Sequence, residues 1–180
     1  MAAMLHALLS LARGIRDHQL KPNFDLLGAM IYYVDTFPEL LHHPKEDQWL
    51  FRLLELRHPP ARALLDRLRS EHRQGATRIR ALEQTLARYS QGGQAEFPAF
   101  AAAVEEFVEL ERSHMRCEET QVFPLAQAHL LAEDWVEIDA AFATNDDPLV
   151  GVTSQDHFNE LFTRIVNLAP APIGVGPASV

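Results

Sequence analysis

The stretch Leu40-Leu41-His42-His43-Pro44-Lys45-Glu46-Asp47 decides the reading of this chain. On a helix, residues four apart share a face, so His42 and Glu46 can present an imidazole nitrogen and a carboxylate oxygen to one point. That is a two-donor clip for a metal. His114-Met115-Arg116-Cys117-Glu118 repeats the same step from histidine to glutamate, and Glu71-His72 lies between the two clips. Imidazole and carboxylate donors with little sulfur suit iron, zinc or manganese, and two such clips facing each other suit two ions sharing carboxylates.

The periodicity around the clips predicts an all-α chain. Met1, Met4, Leu5, Leu8, Leu11 and Ile15 recur at helical spacing over residues 1 to about 17, and Lys21-Pro22-Asn23 ends that helix. A second helix runs from about Phe24 through Leu27, Met30, Ile31 and Val34 toward Leu41. Pro38 and Pro44 interrupt it, and because Pro44 offers no N–H to the Leu40 carbonyl, the His42/Glu46 clip is expected to straddle a kink. The helical pattern resumes through Trp49, Leu50, Leu53 and Leu54 and breaks at His58-Pro59-Pro60.

A third helix, about Ala61 to Tyr89, spaces Leu65, His72, Ile79 and Leu86 by seven, interleaved with Leu68, Gly75 and Leu82, so His72 falls in a core position. The fourth starts near Phe97-Pro98 and continues the stripe Phe100, Val104, Phe107 into Glu111, His114 and Glu118. Burying those three polar side chains unpaired is costly, and a metal satisfies them. Short helical stretches over Leu130 to Phe142 and Gln155 to Leu168 follow, separated by a turn at Asn145-Asp146-Asp147-Pro148. The expected architecture is an up-down four-helix bundle with an additional C-terminal helical segment, one domain over residues 1–168, and a flexible tail over 169–180 rich in Pro, Gly and Ala.

Composition removes several functions. A net charge of −9 with no basic run on any helix argues against nucleic acid. No window approaches a membrane span, and the apolar N-terminal run lacks the basic residues of a signal peptide. The single cysteine, Cys117, forms no internal disulfide, which fits a reducing compartment, with cytoplasm as the default. Apart from the metal clips, no constellation of catalytic residues stands out. A homodimer is compatible with the chain, and a redox partner is left open.

The other candidates carry less weight. Glu111 reads as an acceptor for a ligand histidine, and Tyr33 as a donor near the first clip, although packing explains Tyr32 and Tyr33 equally well. Cys117 lies off the ligand face and reads as a small hydrophobe. His43, His129 and His157 read as surface or flanking residues. Glu55-x-x-His58 and Glu111-x-x-His114 together give a ferritin-like spacing, but His58 sits at a helix end before Pro59-Pro60, which leaves a ferritin-like oxidase as a third reading.

The stretch Tyr33 to Asp47, the Glu71-His72 pair, Glu111 to Glu119 followed by Phe123-Pro124, Asp134-Trp135 and Asp147-Pro148 occur in the order seen in the hemerythrin-like (HHE cation-binding) domains, which the chain resembles. The resemblance implies a four-helix bundle with a non-haem di-iron centre that takes dioxygen, nitric oxide or peroxide, or handles iron. By position it makes His42, His72 and His114 terminal ligands and Glu46 and Glu118 bridging ones. Ala76 and Glu119 stand where the oxygen-carrying hemerythrins have a second histidine and an aspartate, so the pattern is closer to the iron-centre repair branch. The family's first helix brings a further histidine at a position that counting back from Leu8-Leu9 places at or before Met1, and His6 lies opposite the apolar stripe. The expectation is therefore either a chain that begins just downstream of that ligand or a site incomplete at one iron, in which case a regulatory or interaction bundle with a partial or single-metal site is the alternative.

Overall fold

Apolar residues at steps of three and four dominate this sequence, and the computed structural model is correspondingly helical. It describes residues 1–143, 154–171 and 173–176, and only the backbone at 154–159 and 162. The turn expected over Asn145 to Pro148 and the side chain of His157 lie outside the described residues. Nine α-helical segments are described: α1 (Ala2–Arg16), α2 (Phe24–Val34), α3 (His43–Lys45), α4 (Arg52–Arg57), α5 (Arg62–Gly92), α6 (Phe97–Cys117), α7 (Phe123–His129), α8 (Ala132–Ala143) and α9 (Ser154–Leu168). Among the described residues, no helix is long and apolar enough to cross a membrane.

The bundle is closed by contacts of α1 with α2 and α6, α2 with α5, and α5 with α6, and α9 lies against α2. Local signals explain the ends. The Asn23 side chain accepts the Leu26 N–H at 3.0 Å and caps α2. Gly93 closes α5 at φ 69°, a conformation that glycine adopts without the Cβ penalty. Beyond α9, Val175 N–H donates to the Val166 carbonyl at 2.9 Å and Gly176 N–H to that of Ala169 at 2.8 Å.

Between α2 and α4 the chain remains helical but widens into π-helical turns over Asp35–His42 and Glu46–Phe51. The cause is local. Pro44 has no N–H to give Leu40, and His43 N–H reaches five residues back to the Pro38 carbonyl. The same device follows the second clip, where Phe123 N–H bonds Glu118 five residues back, just ahead of Pro124.

Among the described residues the core has two apolar clusters. One holds α1, the α2 side chains, Ile79 and Leu82 of α5 and Phe100 to Val108 of α6. The other holds Leu50 to Leu54, Leu65 and Leu68 of α5, and Cys117 and Val122. Along each of the three helical runs the residues between the clusters are polar: His43 and Glu46, His72, and Glu111 and His114, all buried. The fold thus positions a charged layer between two greasy ones.

Candidate metal centre

Within that layer the donor atoms of His43, Glu46, His72 and His114 all lie within 4.8 Å of one another. His72 and His114 meet head to head, Nε2 to Nε2 at 2.9 Å. Their other nitrogens are both tied to carboxylates: His72 Nδ1 lies 2.9 Å from Asp47 Oδ1, and His114 Nδ1 lies 2.8 Å from Glu71 Oε2. A carboxylate accepts the Nδ1–H and fixes the tautomer, which leaves each Nε2 with its lone pair. Two lone pairs therefore face one point.

Such a pair is stable only when something positive sits between it. In the protein alone that is a proton. Burial would push the His114 imidazole down, but the adjacent Glu118 carboxylate, with the Glu71 hydrogen bond and Glu111 adding to it, outweighs burial and holds it at about 9. A divalent cation serves as well: two imidazole nitrogens each about 2.1 Å from one ion stand roughly 3 to 3.4 Å apart, according to its coordination geometry.

The carboxylates fit the same purpose. Glu46 is 2% exposed, and its Oε2 has no hydrogen-bond partner among the described residues. Burial would raise its carboxyl, but the His42 hydrogen bond and the nearby imidazoles hold it low, as a charged donor. Glu118 Oε1 stands 3.2 Å from His114 Nε2. The donor set is imidazole and carboxylate, a match for first-row divalent ions.

The structure brings Glu46, His72, His114 and Glu118 into one layer. His42 stands at its rim, with Nε2 3.0 Å from Glu46 Oε1 and the side chain 42% exposed. The reading of His43 as a surface or flanking residue is corrected: it is buried, and its ring stacks on His72 at 4.2 Å between centroids. The π turn is the reason. From Val34 the buried positions run to Pro38, His43, Glu46 and Leu50, and the single five-residue step rotates the face by one residue, which a uniform α-helical wheel misses.

Glu111 is buried beside Glu39 and His43. Tyr33 is two rings from the clip, stacked on Phe37 at 5.9 Å, which stacks on His42 at 6.3 Å. Cys117 is buried and accepts from Arg67 at 2.8 Å. Glu55 spends its oxygens on Arg62 and Arg69, at 2.6 and 2.9 Å, and His58 stacks on His129 instead of joining Glu111. That arrangement opposes the ferritin-like ligand set. Sequence reasoning missed Asp47 and Glu71 as orienting carboxylates, although each directly adjoins a candidate, Glu46 or His72.

Compared with known protein families, residues 1–126 match the family described as Hemerythrin HHE cation binding domain. Neither the curated proteins nor the solved structures gave a match.

Proposed function

The chain belongs to the hemerythrin HHE cation-binding domain family, and from that premise we propose that it is a non-haem iron protein whose buried layer binds iron for a small diatomic or peroxide. The observation that carries the proposal is the head-to-head pair of His72 and His114, each backed by its own carboxylate. In this reading His72, His114 and Glu46 would hold one iron, and His42 and Glu118 would help to hold a second. When bound, the irons supply Lewis acidity and one-electron redox chemistry.

The residues of the chain do the rest. Asp47 and Glu71 keep the two imidazoles oriented, the apolar clusters on either side exclude water, and the exposed edge of His42 marks the side from which a small molecule enters. Dioxygen or nitric oxide binding, as opposed to iron donation in the manner of the repair branch, is the finer part of the proposal. The compactness of the layer favours it, since Phe51 and His43 crowd both faces of the His72 ring, centroids 5.6 and 4.2 Å away.

A second reading is a bundle with a single ion. It is favoured by the fact that His43, Glu46, His72 and His114 form a complete four-donor group without His42 or Glu118.

The test is anaerobic reconstitution with ferrous iron, elemental analysis, and a visible spectrum after addition of nitric oxide. A new nitric-oxide-dependent band, with about one iron per chain fewer in H42A/E118Q than in the wild type, supports the first reading. Iron content unchanged in H42A/E118Q supports the second. Iron content unchanged in H72A/H114A overturns both.

A further inference from the structure

A second group of donors lies beside the first, and two of its members, Glu39 and Glu111, are used by neither reading. Glu39, His43 and Glu111 present one donor atom each, all within 4.8 Å of one another. We propose that they form a further cation position, taking a first-row divalent ion between two carboxylates and the His43 imidazole.

Three observations support it. His43 is 7% exposed, its Nδ1 has no hydrogen-bond partner among the described residues, and that atom faces Glu39 Oε2 at 3.5 Å, too far for a hydrogen bond and open to an ion. The carboxylates face each other in the interior: Glu111 is 3% exposed and the Glu39 side chain is 6% exposed, with one oxygen of each in the same donor group. Two buried carboxylates so placed are held together at low cost by a shared proton or by a cation. Third, α5 carries Gly75 opposite Glu39, and a Cβ there would overlap the Glu39 carboxylate. A glycine in the middle of a long helix is a poor helix former, and here it makes the space that the carboxylate occupies.

Two carboxylates neutralise a divalent charge, and the mixed oxygen and nitrogen donors suit iron, manganese, cobalt or zinc over a soft monovalent ion. With three protein donors, coordination positions remain for water or a small anion. The π turn that brings His43 inward also brings Glu39, four residues earlier, onto the same face, so one backbone irregularity builds the site. His43 belongs to both donor groups, so the inference deepens the proposed function and rests on it for the buried layer in which that ring is set.

Cobalt(II), added anaerobically and followed by its d–d absorption and by elemental analysis after gel filtration, reads the positions separately. E39Q/E111Q keeps the side-chain volumes and is expected to bind about one Co(II) fewer per chain than the wild type, with its helical circular dichroism unchanged. G75A, which displaces the Glu39 carboxylate while improving the helix, is expected to lose the same equivalent. H42A/E118Q is expected to keep it. The proposal is overturned if E39Q/E111Q and G75A bind as much Co(II) as the wild type with the same spectrum. Failure of the proposed function looks different: H72A/H114A then loses nothing. A wild-type chain that takes up no Co(II) overturns both.

Discussion

Replacing Asp47 by alanine removes the acceptor behind His72 without touching any donor atom of the layer. Asp47 Oδ1 lies 2.9 Å from His72 Nδ1 and its side chain is 32% exposed. As a hydrogen bond to a carboxylate so open to water it contributes about 1 kcal/mol or less to the stability of the metal-free protein. Its effect on metal is larger, because it selects the tautomer that leaves His72 Nε2 free to bind. Losing such a partner costs about 10–100-fold in affinity, or about 1.4–2.7 kcal/mol. The assay is competition for Fe(II) or Co(II) against a chromophoric chelator, paired with thermal unfolding of both metal-free proteins. D47N retains a carbonyl oxygen that can accept the Nδ1–H, and is expected to recover most of the affinity that D47A loses. If D47A binds within about twofold of the wild type, or if its metal-free form loses as much stability as its loaded form, the orienting role of Asp47 is wrong.

Asn23→Ala removes the cap on Leu26 N–H and should cost about 1 kcal/mol by urea denaturation, whereas Asn23→Gly should cost only a few tenths; equal costs would contradict the capping assignment. Phe100→Ala opens a cavity beside Tyr89, its ring neighbour at 5.8 Å, and should cost about 3–5 kcal/mol while leaving metal stoichiometry unchanged, because it lies in the cluster away from the donors. Asp134 joins Arg57 through two hydrogen bonds of 2.8 and 2.9 Å and accepts Leu131 N–H at the start of α8, and the Arg57 hydrogen bond holds its carboxyl below the ordinary 3.8. A depressed carboxyl contributes its stability above the unfolded value and loses it as pH falls below that value, so the gap between wild type and D134N should be full at pH 7 and close on acidification. A gap independent of pH would remove the ion pair as its cause.

The long helices were legible because their signal is cumulative. Leu65, Leu68, His72, Gly75, Ile79 and Leu82 keep one face over many turns, and all six are buried in α5. On α6 the same holds for Phe100, Val104, Phe107, Glu111 and His114. The clip at His42 to Asp47 was legible as a place but not as a face. A proline removes one hydrogen bond whatever its surroundings, but whether the helix then kinks or widens depends on neighbouring packing, and the π turn decides which of two adjacent histidines points inward. Asp47 and Glu71 were illegible for another reason. Their role depends on which imidazole nitrogen they meet across the bundle, and that is a relation between helices rather than a spacing along one.

The most direct test of the account is anomalous diffraction from crystals loaded anaerobically with ferrous iron. The account predicts an iron peak within about 2.0–2.2 Å of both His72 Nε2 and His114 Nε2, with Asp47 and Glu71 still on their Nδ1 atoms. A density map showing the two imidazoles still in direct contact, with iron absent or bound only at the surface, would contradict it.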